Sequence, residues 1–202
     1  MGADIGGELA VANGFVFVNA GDRVWAFDAS GSVGCSNTPK TCTPVWSTAP
    51  GIDGLTTISA TTMFLSAEGK VYAVDATGKT NCSGSPAVCS PLWSAVTGST
   101  SFLTPAAVAD GKLFVTSADA KLYAFDSTAS SCSGTPKVCG VLWSASLGTD
   151  KTSRAAVAQG VVYVAEYGVG LLAFDAGGVT TTRETSATGP PRRRSSPWRC
   201  RG

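Results

Sequence analysis

The sequence predicts an all-β protein, a β-propeller built of four-stranded antiparallel blades. The first observation is a short segment ending in aspartate that recurs four times, at intervals of 47, 51 and 49 residues. The second is a tryptophan that recurs at intervals of 47 and 50 residues. The third is that the intervening segments are short, β-branched and interrupted by Gly or Pro, which favours strands over helices. The repeat markers are Asp28, Asp75, Asp126, Asp175, Trp46, Trp93 and Trp143.

The third repeat shows how four strands make one blade. Residues 104–109 form an apolar run closed by Asp110-Gly111, a typical hairpin turn. The segments 112–117 and 121–126 follow, both rich in the β-branched and aromatic residues that strands favour. Residues 141–144 make a short fourth strand after a cysteine-containing loop. Four strands in a repeat of about 40–50 residues are typical of a propeller blade.

The third strand of each repeat predicts how neighbouring blades pack. Because side chains alternate across a strand, Leu122, Ala124 and Asp126 share one face, while Tyr123 and Phe125 share the other. The other repeats show the same division into a face with alanine and a face with bulky groups. We therefore expect the bulky face of one blade to fill the hollow over the alanine of its neighbour.

The repeats divide the chain into a propeller region, residues 1–178, and a tail. The fourth repeat ends without a cysteine pair or a Leu-Trp segment, so we expect a partial propeller with an incomplete last blade. Residues 179–202 are rich in Arg and Pro and carry no strand pattern. They are interpreted as a disordered terminus, as a basic segment that binds acidic surfaces, or as out-of-frame translation. The predicted blades are 8–47, 55–94, 103–144 and 152–178.

Charge is distributed unevenly along the chain. Residues 183–202 hold six arginines and one acid, a net charge of +5, so the other 182 residues sum to −4 within the total of +1. This mildly acidic body indicates neither nucleic-acid nor anionic-membrane partners. No run of 18 apolar residues is present, so no membrane-spanning helix is expected.

Six of the seven cysteines form three local pairs, each seven positions apart. Zinc sites commonly use a closer cysteine spacing with further Cys or His, and this chain has no histidine, so the pairs predict disulfides. Disulfides indicate an extracytoplasmic location, whether periplasmic, cell-surface or secreted. Residues 1–8 do not read as a signal peptide, and we therefore expect a fragment of a longer exported protein. The pairs are Cys35/Cys42, Cys82/Cys89 and Cys132/Cys139.

The segments 26–31, 73–79 and 124–129, AFDASG, AVDATGK and AFDSTA, each precede a tryptophan and resemble the tryptophan-docking repeat of pyrroloquinoline-quinone (PQQ) propellers. The resemblance covers residues 8–178 and implies a quinoprotein-like β-propeller with WD-like repeats. In that family the tryptophan packs between blades, while the aspartate and glycine set a turn. This chain departs from the pattern by inserting a cysteine loop between aspartate and tryptophan.

Catalysis finds little support in these residues. The resemblance implies that a PQQ-dependent dehydrogenase would need a carboxylate base, calcium and adjacent cysteines, and this chain has no adjacent cysteines. The repeat aspartates are interpreted as turn formers. Glu166, the one acid in an apolar strand, is interpreted as a solvated strand-end group or, alternatively, a functional outlier.

We expect no catalytic, cofactor-binding or metal-binding residues in this chain. The predicted function is a non-catalytic extracytoplasmic scaffold that binds a protein or ligand, or the missing blades of a parent propeller. The alternative is part of a PQQ-dependent quinoprotein dehydrogenase, which would bring PQQ with calcium.

Overall fold

The computed structural model describes residues 9–178 and 183–185. These residues form twenty-one strands, and the described part contains no helix and hence none that could cross a membrane. Most strands belong to four consecutive antiparallel sheets, which we call blades 1 to 4. The chain is therefore an all-β, partial propeller, as its sequence predicts.

Blade 1 and blade 2 share one plan, a four-stranded antiparallel core with a cysteine hairpin inserted before the outermost strand. The core of blade 1 consists of β1 (Leu9–Ala12), β2 (Phe15–Ala20), β3 (Arg23–Asp28) and β6 (Trp46–Thr48), and its hairpin of β4 (Cys35–Ser36) and β5 (Thr41–Cys42). The core of blade 2 consists of β7 (Leu55–Ser59), β8 (Thr62–Ser66), β9 (Lys70–Asp75) and β12 (Trp93–Val96), and its hairpin of β10 (Cys82–Gly84) and β11 (Ala87–Cys89).

Blade 3 and blade 4 repeat the core but differ in the insertion. Blade 3 contains β13 (Ala107–Ala109), β14 (Lys112–Ser117), β15 (Lys121–Asp126) and β17 (Val141–Ser146), with β16 (Lys137–Cys139) in its cysteine loop. Blade 4 contains β18 (Ala156–Ala158), β19 (Val161–Glu166), β20 (Gly170–Asp175) and β21 (Arg183–Thr185). The sequence predicts no strand beyond residue 178, whereas β21 pairs with β20 and supplies a fourth strand. The other residues beyond 178 lie outside the described part, and with them the three interpretations of the tail.

The cysteine loops are more than closed rings, because two of them extend the preceding blade. Strand β11 of blade 2 lies parallel to β6 of blade 1, with Ala87 opposite Trp46 and Cys89 opposite Thr48. Strand β16 of blade 3 lies parallel to β12 of blade 2 in the same way, with Lys137 opposite Trp93. We call these inserted segments straps. Each covers the backbone edge of the blade before it.

The hydrophobic core lies between blades, in three clusters. Ala26 of blade 1 shares a cluster with Val74 and Tyr72 of blade 2. Ala73 of blade 2 shares the next with Tyr123 and Phe125, and Ala124 shares the third with Leu172 and Phe174. The predicted packing of bulky groups over the neighbouring alanine is therefore confirmed at all three interfaces. Each of these three alanines is fully buried.

Candidate functional site

The three repeat tryptophans lie between blades, each close to the aspartate turn of the next blade. A Cβ on Gly78 would stand 2.5 Å from Cδ1 of Trp46, and one on Gly178 would overlap Trp143. Trp143 also donates from Nε1 to the carbonyl of Ala176 at 3.2 Å. Trp93 shares its cluster with Ala129, which takes the glycine position in blade 3 with φ of 58°. These contacts leave little room for the indoles to bind a ligand.

The repeat aspartates accept hydrogen bonds within their own turns. Asp75 Oδ1 accepts from the hydroxyl and the amide of Thr77, at 2.7 and 2.8 Å, and Oδ2 accepts from the amide of Thr80 at 2.7 Å. Burial alone would raise the pKa of Asp75, but these hydrogen bonds outweigh it and lower the pKa to about 2. At Asp28, the Ser30 hydroxyl and the amides of Val33 and Ser32 lower the pKa to about 2.

The other two aspartates occupy equivalent turns. Asp126 accepts from Thr128, Ser130 and Ser131, and its pKa is lowered because these bonds outweigh the effect of burial. Asp175 accepts from the amide of Gly177 at 2.6 Å. These carboxylates hold local backbone and hydroxyl groups, so their arrangement suits turn formation rather than proton transfer to a substrate.

The three cysteine pairs are disulfides, Cys35–Cys42, Cys82–Cys89 and Cys132–Cys139. They point to an oxidising, extracytoplasmic environment. Within residues 9–178, no group of three or more His, Cys, Asp or Glu side chains could hold a metal ion. Since the repeat aspartates are engaged in turns, the residues described do not fit the calcium that the dehydrogenase alternative would bring with PQQ.

Glu166 differs from the expectation of a solvated carboxylate. It ends β19 and is 5% exposed, so that interpretation is wrong. The connection from blade 3 closes over it, because Thr152 forms a bridge with Glu166 and Gly148 lies against its Oε1. Oε1 has no hydrogen-bond partner among the described residues.

An open groove of about 580 Å³ lies between blades 1 and 2. The groove lies where the blade connections meet the β8–β9 turn. Two hydrogen bonds hold the segments around the groove together. Asn19 Nδ2 donates to the Gly54 carbonyl at 2.9 Å, and the Gly69 amide donates to the Ser101 carbonyl at 2.8 Å. Gly54, at φ of 134°, is required here because a Cβ would lie 2.5 Å from the Ser66 carbonyl oxygen.

Several polar groups of the groove-lining residues have no hydrogen-bond partner within the described part of the chain. Ser66 is 2% exposed, and its Oγ is buried without a hydrogen-bond partner. Tyr72 lines the groove, and its hydroxyl makes no hydrogen bond within the described residues. Phe102 is 70% exposed at the rim, near the charged side chains of Glu68 and Lys70. The groove therefore combines an exposed aromatic group with polar and charged groups, which is typical of binding sites.

The equivalent position between blades 2 and 3 is occupied. Tyr123, the counterpart of Tyr72, donates its hydroxyl to Asp119 Oδ2 at 2.5 Å. Burial and this contact with Asp119 raise the pKa of Tyr123 to about 12. Repeat 2 has Glu68 at that point, but this residue is exposed at the rim and no hydrogen bond joins it to Tyr72. Among the described residues, the Tyr72 hydroxyl therefore lacks the carboxylate contact that Tyr123 makes.

Sequence reasoning does not identify the groove. It singles out the aspartates, tryptophans and cysteines, whereas the groove is lined by other residues, which the sequence pattern does not mark. Asn19, Ser66 and Phe102 come from three separate segments that the blade packing brings together. Phe102, an aromatic residue in a Ser-rich connection, is the one local signal that points to an exposed apolar group.

Comparisons with known proteins support the fold. No family model matches the sequence, and no curated protein matches it either. The computationally designed Ika8 protein is similar with a TM-score of 0.61 and 13% identity, over 85% of this chain and 46% of that chain. The computationally designed Ika4 protein gives 0.60 and 13%, over 88% of this chain and 100% of that chain.

BamB from Moraxella catarrhalis also matches, with a TM-score of 0.49 and 13% identity over 92% of this chain and 63% of BamB. The chain thus spans less than half the length of Ika8 and under two thirds of BamB. At this identity the comparisons establish the fold alone, and that fold is a β-propeller.

Proposed function

We propose that this chain is a non-catalytic, extracytoplasmic propeller scaffold of the PQQ-like type, and that it binds a protein segment or small ligand in the groove between blades 1 and 2. The observation that carries the proposal is that Ser66, which lines the groove, has a buried Oγ with no hydrogen-bond partner among the described residues. A buried hydroxyl without a hydrogen bond costs about 1–3 kcal/mol, and a bound acceptor or donor would recover part of this.

The rest of the groove supports binding rather than turnover. Phe102 offers a large aromatic surface at the rim, and aromatic residues dominate the energetics of many binding sites. Lys70 and Tyr72 offer donors close to it. The groove residues include no histidine or cysteine, so a nucleophile paired with an imidazole base is not available there.

A displayed random-peptide library, selected against the immobilised full-length chain, tests this proposal. Selected peptides are expected to lose affinity by roughly tenfold or more with Phe102→Ala, since truncating an aromatic contact residue often costs over about 1 kcal/mol. Ser66→Ala is expected to weaken binding less. Phe102 is exposed, so the variant should retain the thermal midpoint of the parent chain.

The matched control is Leu142→Ala, which removes a 44% exposed apolar group from blade 3, outside the groove. Its affinity for the selected peptides should equal that of the parent chain. A library that enriches no binder, or binders that respond equally to Phe102→Ala and Leu142→Ala, would contradict the proposal.

A further inference from the structure

The outward face of blade 1 is built like an interface but has no neighbour among the described residues. Val11 on this face is 70% exposed and Leu9 is 66% exposed. The counterparts of Val11 in the other blades are Ile58, Val108 and Val157, and each of them packs into a cluster shared with the preceding blade. Blade 1 thus presents the surface that blades 2, 3 and 4 bury against the blade before them.

The opposite end of the arc presents the complementary surface. In β20, Leu172 and Phe174 pack toward blade 3, so the alternation turns Ala173 to the other face. Ala26, Ala73 and Ala124 hold the same position in blades 1 to 3 and are all buried under the next blade. Ala173 is only half-buried, since no described blade lies over it.

Strand pairing is also incomplete at both ends of the arc, where one hairpin covers no edge and one edge strand is not covered. Strand β11 covers the edge of β6, and β16 covers the edge of β12. The hairpin β4–β5, however, is a separate two-stranded sheet, and β21 is the edge of its sheet, with no strap on it among the described residues. In the register of the two internal examples, Lys40 would lie opposite Arg183, Thr41 opposite Glu184 and Cys42 opposite Thr185.

We propose that these two ends of the arc meet the ends of a second copy of this chain, so that blade 1 of one copy stacks on blade 4 of the other and the hairpin β4–β5 straps β21. We infer a second copy because each copy carries both surfaces of the blade-stacking contact, which its own fold makes three times. Two four-bladed arcs joined at both ends give eight blades, which is within the range of about 4–8 found in propellers.

Burial of apolar side chains and pairing of strand edges would both stabilise the proposed contact between blade 1 of one copy and blade 4 of the other. The exposed valine and leucine of blade 1 would be removed from water, and the free backbone groups of both edges would gain partners. The two contacts of such a ring are identical and related by a twofold axis, although each joins different surfaces. The proposal is independent of the groove, so a failed ligand search leaves it unaffected.

Sedimentation equilibrium of the full-length oxidised chain tests the proposal. The expected particle has twice the chain mass of 20.4 kDa. Val11→Asp and Ala173→Glu, placed on the two opposite faces, should each convert it to a monomer. An equimolar mixture of the two variants should recover dimer, because one of its two contacts then joins unaltered surfaces.

Leu142→Asp is the control, since it places a charge on an exposed apolar position away from both faces, and it should remain dimeric. Circular dichroism of each monomeric variant should match the parent, which separates lost assembly from lost folding. A parent chain that stays monomeric would overturn the proposal. So would an open polymer, or a dimer that only Val11→Asp disrupts, because the latter indicates contact between two blade 1 faces.

Discussion

The interface between blades 1 and 2 and the outward face of blade 1 use the same repeat positions, yet only the first is complete. At the interface, Trp46 lies over Gly78 and a strap covers the outer edge of blade 1. On the outward face, Gly31 holds the equivalent turn position, and the Lys40 ammonium donates to its carbonyl at 2.7 Å. The repeat therefore specifies a surface, and a neighbouring blade is needed to turn that surface into a core.

The difference between these two regions separates the local role of a repeat position, in its own turn, from its role in packing against a neighbouring blade. The positive φ of Gly78 and Gly31, 69° and 65°, belongs to the local turn and is present in both regions. The close tryptophan contact belongs to the interface and is present in one. Matched substitutions in the two regions can therefore measure the contribution of blade stacking.

The largest difference is expected from Gly78→Ala against Gly31→Ala. Both replace a glycine with positive φ, which costs about 1–2 kcal/mol for an L-residue. At Gly78 the new Cβ would also collide with the Trp46 indole, and such overpacking adds about 1–3 kcal/mol. At Gly31 the nearest atoms belong to the flexible Lys40 side chain at 3.6 Å. Urea unfolding followed by tryptophan fluorescence should show the greater loss for Gly78→Ala, and equal losses would refute an interface contribution.

A second comparison uses the disulfides of the two hairpins. The pairs Cys82–Cys89 and Cys35–Cys42 close loops of the same length, so chain entropy assigns each about 2–3 kcal/mol. The Cys82–Cys89 hairpin also straps β6, and Cys89 is fully buried, whereas the Cys35–Cys42 hairpin pairs only with itself. Replacing Cys82 and Cys89 by alanine should therefore destabilise blade 1 more than replacing Cys35 and Cys42 does.

Hydrogen exchange provides the measurement for this pair. The amide of Ala49 donates to the carbonyl of Cys89 at 2.9 Å. Its hydrogen exchange should therefore accelerate in the variant lacking Cys82 and Cys89, because the strap is less stable there. The variant lacking Cys35 and Cys42 serves as the control and should leave that amide protected. Equal acceleration in both variants would mean that the strap does not act through β6.

The smallest effect is expected from acid titration of the two regions. The pKa of Asp75 in the folded chain, about 2, lies below its ordinary value of 3.8. Its contribution to stability is therefore complete above about pH 4 and is lost as the pH falls toward 2. Asp75→Asn should lower the thermal midpoint at pH 7 and flatten its decline between pH 4 and 2.

Asp28 has the same lowered pKa, about 2, but lies in the open turn of blade 1. Solvent screens its interactions, so Asp28→Asn should change the same profile less than Asp75→Asn does. A larger effect at Asp28 would show that turn hydrogen bonds matter independently of blade stacking.

Much of the fold follows from the sequence because its determinants are local and periodic. The alternation of Ala124 with Tyr123 and Phe125 predicts both the strand and its neighbours, since side-chain direction follows from the strand period. The cysteine spacing likewise predicts the disulfides. These features need no knowledge of distant segments.

The parts that the sequence does not predict depend on contacts between repeats. The pairing of Ala87 with Trp46 is parallel and joins two blades, so neither segment indicates it alone. Strand β21 has no apolar alternation, and its backbone pairing with β20 is what defines it. Glu166 is buried by a connection from the preceding blade, which its own strand pattern cannot reveal.

The straps also set an order of protection during synthesis. Because β11 belongs to the repeat after the one that it covers, the edge of β6 stays unpaired until roughly forty more residues have left the ribosome. Exposed edges promote aggregation, so the edge of β6 and later that of β12 are vulnerable until their straps have been synthesised. Repeats 2 and 3 therefore each protect the edge of the repeat synthesised before them.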